Sequence, residues 1–189
     1  METQPPTQIR THEEFAPGSP VIYGLLGRCT IIGIENKSIG QNSLRVYRLE
    51  VKKTVPSRTK TSDSAIWVPV KTAHEQGLRS PANNTQAQAA LKLLQSREYF
   101  FKTSENWSSI LPHLENIIRA EGIEGLAKVY SYLFILKRRQ LVSHPEFGKF
   151  FELVHRLLFK ELSEALNQPM KAIEDQVQKG LKSKVTYDH

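Results

Sequence analysis

The apolar residues of this chain change their spacing near Pro81, and that change limits the fold more than any other feature of the sequence. Before Pro81 they fall in short β-branched runs cut by turn residues. After it they recur every three or four positions. The first pattern belongs to strands and the second to amphipathic helices. The chain therefore reads as α+β, with strands and helices segregated rather than alternating.

Residues 1–13 are polar and proline-bearing and are expected to form a flexible tail. Pro17-Gly18-Ser19-Pro20 is a turn signal, followed by a short strand at Val21-Ile22-Tyr23. Gly24 and Gly27 bracket a tight turn, and Arg28 to Glu35 carries the β-branched stretch around Ile31, Ile32 and Ile34. Asn36 to Ser43, with Gly40 and Asn42, predicts a hairpin turn, and Leu44, Val46, Leu49 and Val51 mark the next strand. Lys52 to Ser64 is polar, contains Pro56 and reads as a loop. Ala65 to Val70 is a fourth strand whose Pro69 marks a strand end or a sheet edge. A last short strand is expected near Leu78. Five short strands within residues 14–80 are too few for a sandwich. They fit a small, strongly bent barrel of the SH3 or Tudor kind, whose closure hides most strand edges. An edge left open can accept a strand from a partner.

Residues 81–189 read as an all-α domain of about five helices. Ala87, Ala90, Leu91 and Leu94 form one stripe, and Leu114, Ile117 and Ile118 a second. Gly122 and Gly125 precede a third, at Leu126, Val129, Tyr130, Leu133 and Leu136. Ser143-His144-Pro145-Glu146 reads as a capping box opening a long helix, with its apolar face running from Phe147 to Leu166. Pro169 opens the last helix, through Leu181.

The net charge of +7 favours nucleic acid or another acidic surface as a partner. The single cysteine, Cys29, allows no internal disulfide and suits a reducing compartment, where it is expected to pack as a small hydrophobe. No signal peptide or membrane span is visible, so a cytoplasmic location is expected. The six histidines form neither HExxH nor a cluster with cysteine, so no metal is expected. Gly24-Leu25-Leu26-Gly27 lacks the Lys-Ser/Thr of a phosphate cradle, and no GxGxxG or GxSxG motif occurs. The chain reads as a non-enzymatic protein without a cofactor.

The order of motifs resembles the CarD/CdnL family of bacterial transcription regulators. Phe15-Ala16-Pro17-Gly18-Ser19-Pro20-Val21-Ile22-Tyr23 resembles the opening of its barrel, with Gly27 at the expected place. Ile39-Gly40, Val46-Tyr47-Arg48-Leu49, Trp67-Val68-Pro69-Val70 and Gly77-Leu78-Arg79 follow in the family's order. In the helical half, Asn106-Trp107-Ser108, Leu141 to Glu146 and Leu158-Phe159-Lys160-Glu161-Leu162 resemble its remaining signatures. The resemblance spans about residues 14–167. It implies a barrel that binds the β subunit of RNA polymerase by a strand edge. It also implies a helical domain that contacts promoter DNA in the minor groove, at the upstream edge of the bubble near the −10 element. The factor would stabilise the open complex, acting as a monomer bound to polymerase and associated with the nucleoid through it.

The resemblance assigns DNA contact to Trp107 as a wedge, with Asn106 beside it. Lys102, Lys137, Arg138 and Arg139 are candidate phosphate partners. The polymerase-facing candidates are Lys37, Arg45, Arg48 and Trp67. Each has a plainer alternative. Trp107 can plug a helix seam, Trp67 can belong to the barrel core, and Lys137-Arg138-Arg139 can simply suit a helix C-terminus. The family often carries two arginines just after the tryptophan, where this chain has Ser109 and Ile110. That departure favours a rival reading, a protein–protein adaptor on RNA polymerase without DNA contact. A Tudor-like RNA- or nucleoid-binding module and an enzyme are more distant rivals.

Overall fold

The computed structural model of the protein describes residues 14–39, 42–51, 65–96, 101 and 106–186. The expected N-terminal tail, the turn at Gly40, the loop at 52–64 and Lys102 lie outside the described residues. The fold is α+β. Strands β1 (Pro20–Tyr23), β2 (Gly27–Ile39), β3 (Asn42–Val51), β4 (Ile66–Pro69) and β5 (Leu78–Arg79) form one antiparallel sheet in the order β4-β3-β2-β1-β5. The sheet is open rather than the closed barrel expected. Among the described residues β4 and β5 are its edges and do not pair with each other. Pro69 ends β4 without an N–H to continue a ladder, and the chain leaves through a 3-10 turn at Val70–Thr72.

The hairpin of β2 and β3 is longer than expected, since β2 runs through Asn36, Lys37 and Ser38 to Ile39. Its register shifts between Ile31 and Gly33, where a bulge adds one residue to β2. A one-residue shift exchanges the two faces of a strand. Before the bulge Cys29 and Ile31 point into the sheet's core; after it Ile34 does, while Gly33, Glu35 and Lys37 turn outward.

Among the described residues four helices follow, α1 (Asn84–Gln95), α2 (Trp107–Arg138), α3 (Pro145–Leu166) and α4 (Met170–Thr186). The expected count was about five. The stripes at Leu114–Ile118 and Leu126–Leu136 belong to one element, α2, broken at Gly122 with φ 62° and ψ −127°. The break is a reversal. Residues eight apart in a straight helix are about 12 Å apart, whereas a Cβ built on Gly125 would lie 2.5 Å from the carbonyl oxygen of Ile117. The two arms fold back on each other, and Phe101 touches both His113 and Tyr132. The helix α1 starts with a true capping box, Asn83 and Gln86 each bonding the other's backbone N–H. The box expected at Ser143 does not form. His144 is the N-cap of α3, its Nδ1 accepting from the Glu146 N–H, and Pro145 fills the first helical position.

Two apolar clusters result. One lies in the sheet and includes Val21, Cys29, Ile31, Tyr47, Leu49, Val68 and Leu78. The other lies among the helices, where α4 contributes Ile173, Val177 and Leu181. Among the described residues no helix is long and apolar enough to cross a membrane.

Candidate interaction surfaces

The sheet gathers three of the four polymerase-facing candidates on its outward face. Arg48 on β3 is paired across the ladder with Trp67 on β4, and the bulge turns Lys37 of β2 to the same side. The Lys37 ammonium sits 3.4 Å from the centre of the Trp67 ring, and the Arg48 guanidinium lies at 6.0 Å. Arg48 Nη1 donates to Glu35 Oε1 at 3.1 Å. Trp67 is only half-buried, so it is not core. The ring is held by cations from two strands beside the β4 edge, and among the described residues nothing pairs with that edge. Cations over an aromatic face are attracted by its quadrupole and fix its orientation.

Arg45 does not join this cluster. It shares the parity of Tyr47 and Leu49, on the opposite face, and pairs with Glu14 at 2.8 Å. Tyr47 Oη accepts from the Phe15 N–H at 3.0 Å, so Glu14 and Phe15 are both anchored there.

In the helical half the reversal at Gly122 brings the two ends of α2 to one place, the start of α3. Asn106 caps α2, its Oδ1 accepting from the Ser108 N–H at 3.0 Å. Trp107 is 5% exposed and meets Phe147 and Phe150 edge-on at 5.1 and 5.8 Å. Its Nε1–H is buried and has no hydrogen-bond partner among the described residues. Lys137, from the other end of α2, lies 4.0 Å above the neighbouring Phe151 ring and 3.4 Å from Glu152. Arg138 is exposed, and Arg139 forms the C-cap. Asn106, Lys137 and Arg138 therefore sit around one end of the helical half. Trp107 occupies the helix seam that was its alternative position. Ile110, where the resemblance led to an arginine, is buried at 2%.

No protein-family model matches this chain, and no curated protein matches it.

Among the described residues no three His, Cys, Asp or Glu side chains are placed to hold a metal ion. Cys29 is buried, and burial pushes its thiol up to about 11 from 9.0. Burial also raises the Tyr130 phenol, with Glu174 and Glu152 adding to the effect. Sequence reasoning missed Glu35 as the partner of Arg48, because the bulge that turns it outward leaves no mark beyond Ile32-Gly33.

Proposed function

We propose that this chain is a transcription regulator that docks on the β subunit of RNA polymerase and stabilises the open promoter complex through its helical half. The observation that carries the reading is the β4 edge, unpaired among the described residues, with Lys37, Trp67 and Arg48 beside it. An edge strand offers backbone donors and acceptors to a partner's strand, and adjacent side chains supply specificity. The resemblance in motif order supplies the identity of the partner. Contact with DNA rests on the Asn106, Lys137 and Arg138 end. A wedge role for Trp107 requires it to leave the Phe147–Phe150 seam.

The test is direct binding to the β subunit, followed by the lifetime of a promoter open complex under competitor challenge. Lys37→Glu combined with Trp67→Ala is expected to weaken β binding by at least about tenfold, or roughly 1.4 kcal/mol, and to shorten the open complex. Unchanged β affinity in that variant sinks the docking proposal.

Burial of Trp107 favours a second reading, an adaptor that binds polymerase without touching DNA. That reading expects β binding to persist and open-complex lifetime to ignore the protein.

A further inference from the structure

The sheet and the helices meet through a polar contact that lies outside both apolar cores. Arg79, at the end of β5, donates Nη1 to Glu161 Oε1 at 2.6 Å and Nη2 to Oε2 at 2.8 Å. The Ala82 N–H, in the link to α1, donates to Oε1 at 2.9 Å. Among the described residues Glu161, on α3, is the one charged residue that is buried. A forked guanidinium–carboxylate pair fixes direction as well as distance. The same guanidinium rests on the reversal of α2, where a Cβ at Gly122 would lie 2.8 Å from Arg79 Nε. One side chain of the sheet half thus touches α3 and the turning point of α2. A second pair, Arg28 of β2 with Glu164 of α3, crosses the same junction one turn further along α3.

We propose that the Arg79–Glu161 pair, seated against Gly122, is a latch that sets the angle between the sheet half and the helical half. Apolar surfaces alone tolerate sliding, whereas a planar two-bond fork between β5 and α3 does not. The latch holds the Lys37–Trp67 face and the Asn106–Lys137 end at one fixed register. Its functional meaning rests on the reading above. A factor that grips polymerase and DNA together gains affinity from the second contact only when the spacing of its sites matches both partners. The latch itself does not depend on that reading. Arg79 and Glu161 are positioning residues and touch neither partner.

The experiment uses the full chain with Cys29→Ala and spin labels on Glu50→Cys in β3 and Asn116→Cys in α2, both exposed positions. The label-to-label distance is measured without polymerase. Arg79→Met with Glu161→Met removes both charges together, so no lone buried charge is left. The latched chain is expected to give one narrow distance distribution. In the double variant the distribution is expected to roughly double in width as one angle becomes a population of angles, with helical content unchanged. The open complex then loses its added lifetime while β binding stays. An unchanged distribution in the folded double variant overturns the latch, because Arg28–Glu164 and apolar packing would then set the angle without it. Loss of the folded signal overturns it too, since the pair would then be a stability element. A broadened distribution with an unaltered open-complex lifetime supports the latch and removes the promoter reading instead.

Discussion

The two tryptophans of this chain sit in surroundings that differ in composition and in consequence, cations around Trp67 and aromatic rings around Trp107. Trp67 lies on the outward face of an open sheet, half-buried, with an ammonium on its ring and the edge strand beside it. Trp107 lies at the first turn of α2, enclosed by Phe147 and Phe150, with the nearby Lys137 ammonium on Phe151 rather than on the indole. The first arrangement keeps a large apolar ring at the surface, where it can anchor a partner. The second spends the ring on the protein's own packing. An exposed aromatic is recognised by what holds it in place, and a buried one by what it excludes.

The largest expected effect separates the two directly. Trp107→Ala removes a fully enclosed ring from the helical core and is expected to lower stability by about 3–5 kcal/mol. Trp67→Ala leaves no enclosed cavity and is expected to cost no more than about 1 kcal/mol. Urea denaturation of the two variants checks this. Equal losses would mean that the Trp107 seam is open in solution, which would strengthen the wedge role.

Gly122→Ala comes next. The backbone there is in a region that essentially only glycine adopts, at about 1–3 kcal/mol for other residues, and the added methyl meets Arg79. The same measurement is expected to show a loss in that range. A neutral result would mean that the reversal of α2 relaxes easily and that its two ends are not firmly held together.

Much of the fold is legible in the sequence because it is local. The helical stripes at Ala87–Leu94 and Phe147–Leu166 are the buried faces of α1 and α3. Gly122 and Gly125 signal the interruption, though not that it is a reversal folding one arm back on the other. What was illegible is what depends on distant or single-residue events. The bulge at Ile32 decides which face Lys37 and Glu35 take, and no periodicity reports it. Arg45, two residues from Tyr47, falls on the other face for the same parity reason. Sheet closure depends on a ladder between β4 and β5, distant in the sheet order, that does not form among the described residues. Arg79 and Glu161 lie in two separately visible motifs, but nothing local joins residues 82 apart.

Two smaller effects sharpen the comparison on each side. A double-mutant cycle with Lys37→Ala and Trp67→Ala is expected to give a coupling of about 0.5–1 kcal/mol, the range of a surface cation–π contact. No coupling would leave the ring held by the sheet alone. On the helical side, Arg138→Ala is expected to reduce by about one the slope of log affinity for promoter DNA against log salt. A slope near zero in the parent protein would favour the adaptor.

The smallest effect asks whether the two regions open together. Cys29 is the only thiol in the chain, it lies in the sheet core, and its Sγ–H faces the Gly27 carbonyl. Its thiol is pushed up to about 11 in the folded protein against 9.0 when free. The folded state therefore holds the proton that the unfolded state releases first, and stability is expected to decline slightly as pH rises from 9.0 towards about 11. Below that window the thiol is protonated and enclosed, so a thiol reagent at pH 8 reacts only through opening of the sheet. Trp107→Ala weakens the other core. If Arg79–Glu161 couples the halves, the Cys29 labelling rate rises in that variant in step with its loss of stability. If labelling keeps its parent rate while the helices melt early, the halves unfold separately, and the difference between the two tryptophans becomes a difference between two independent units.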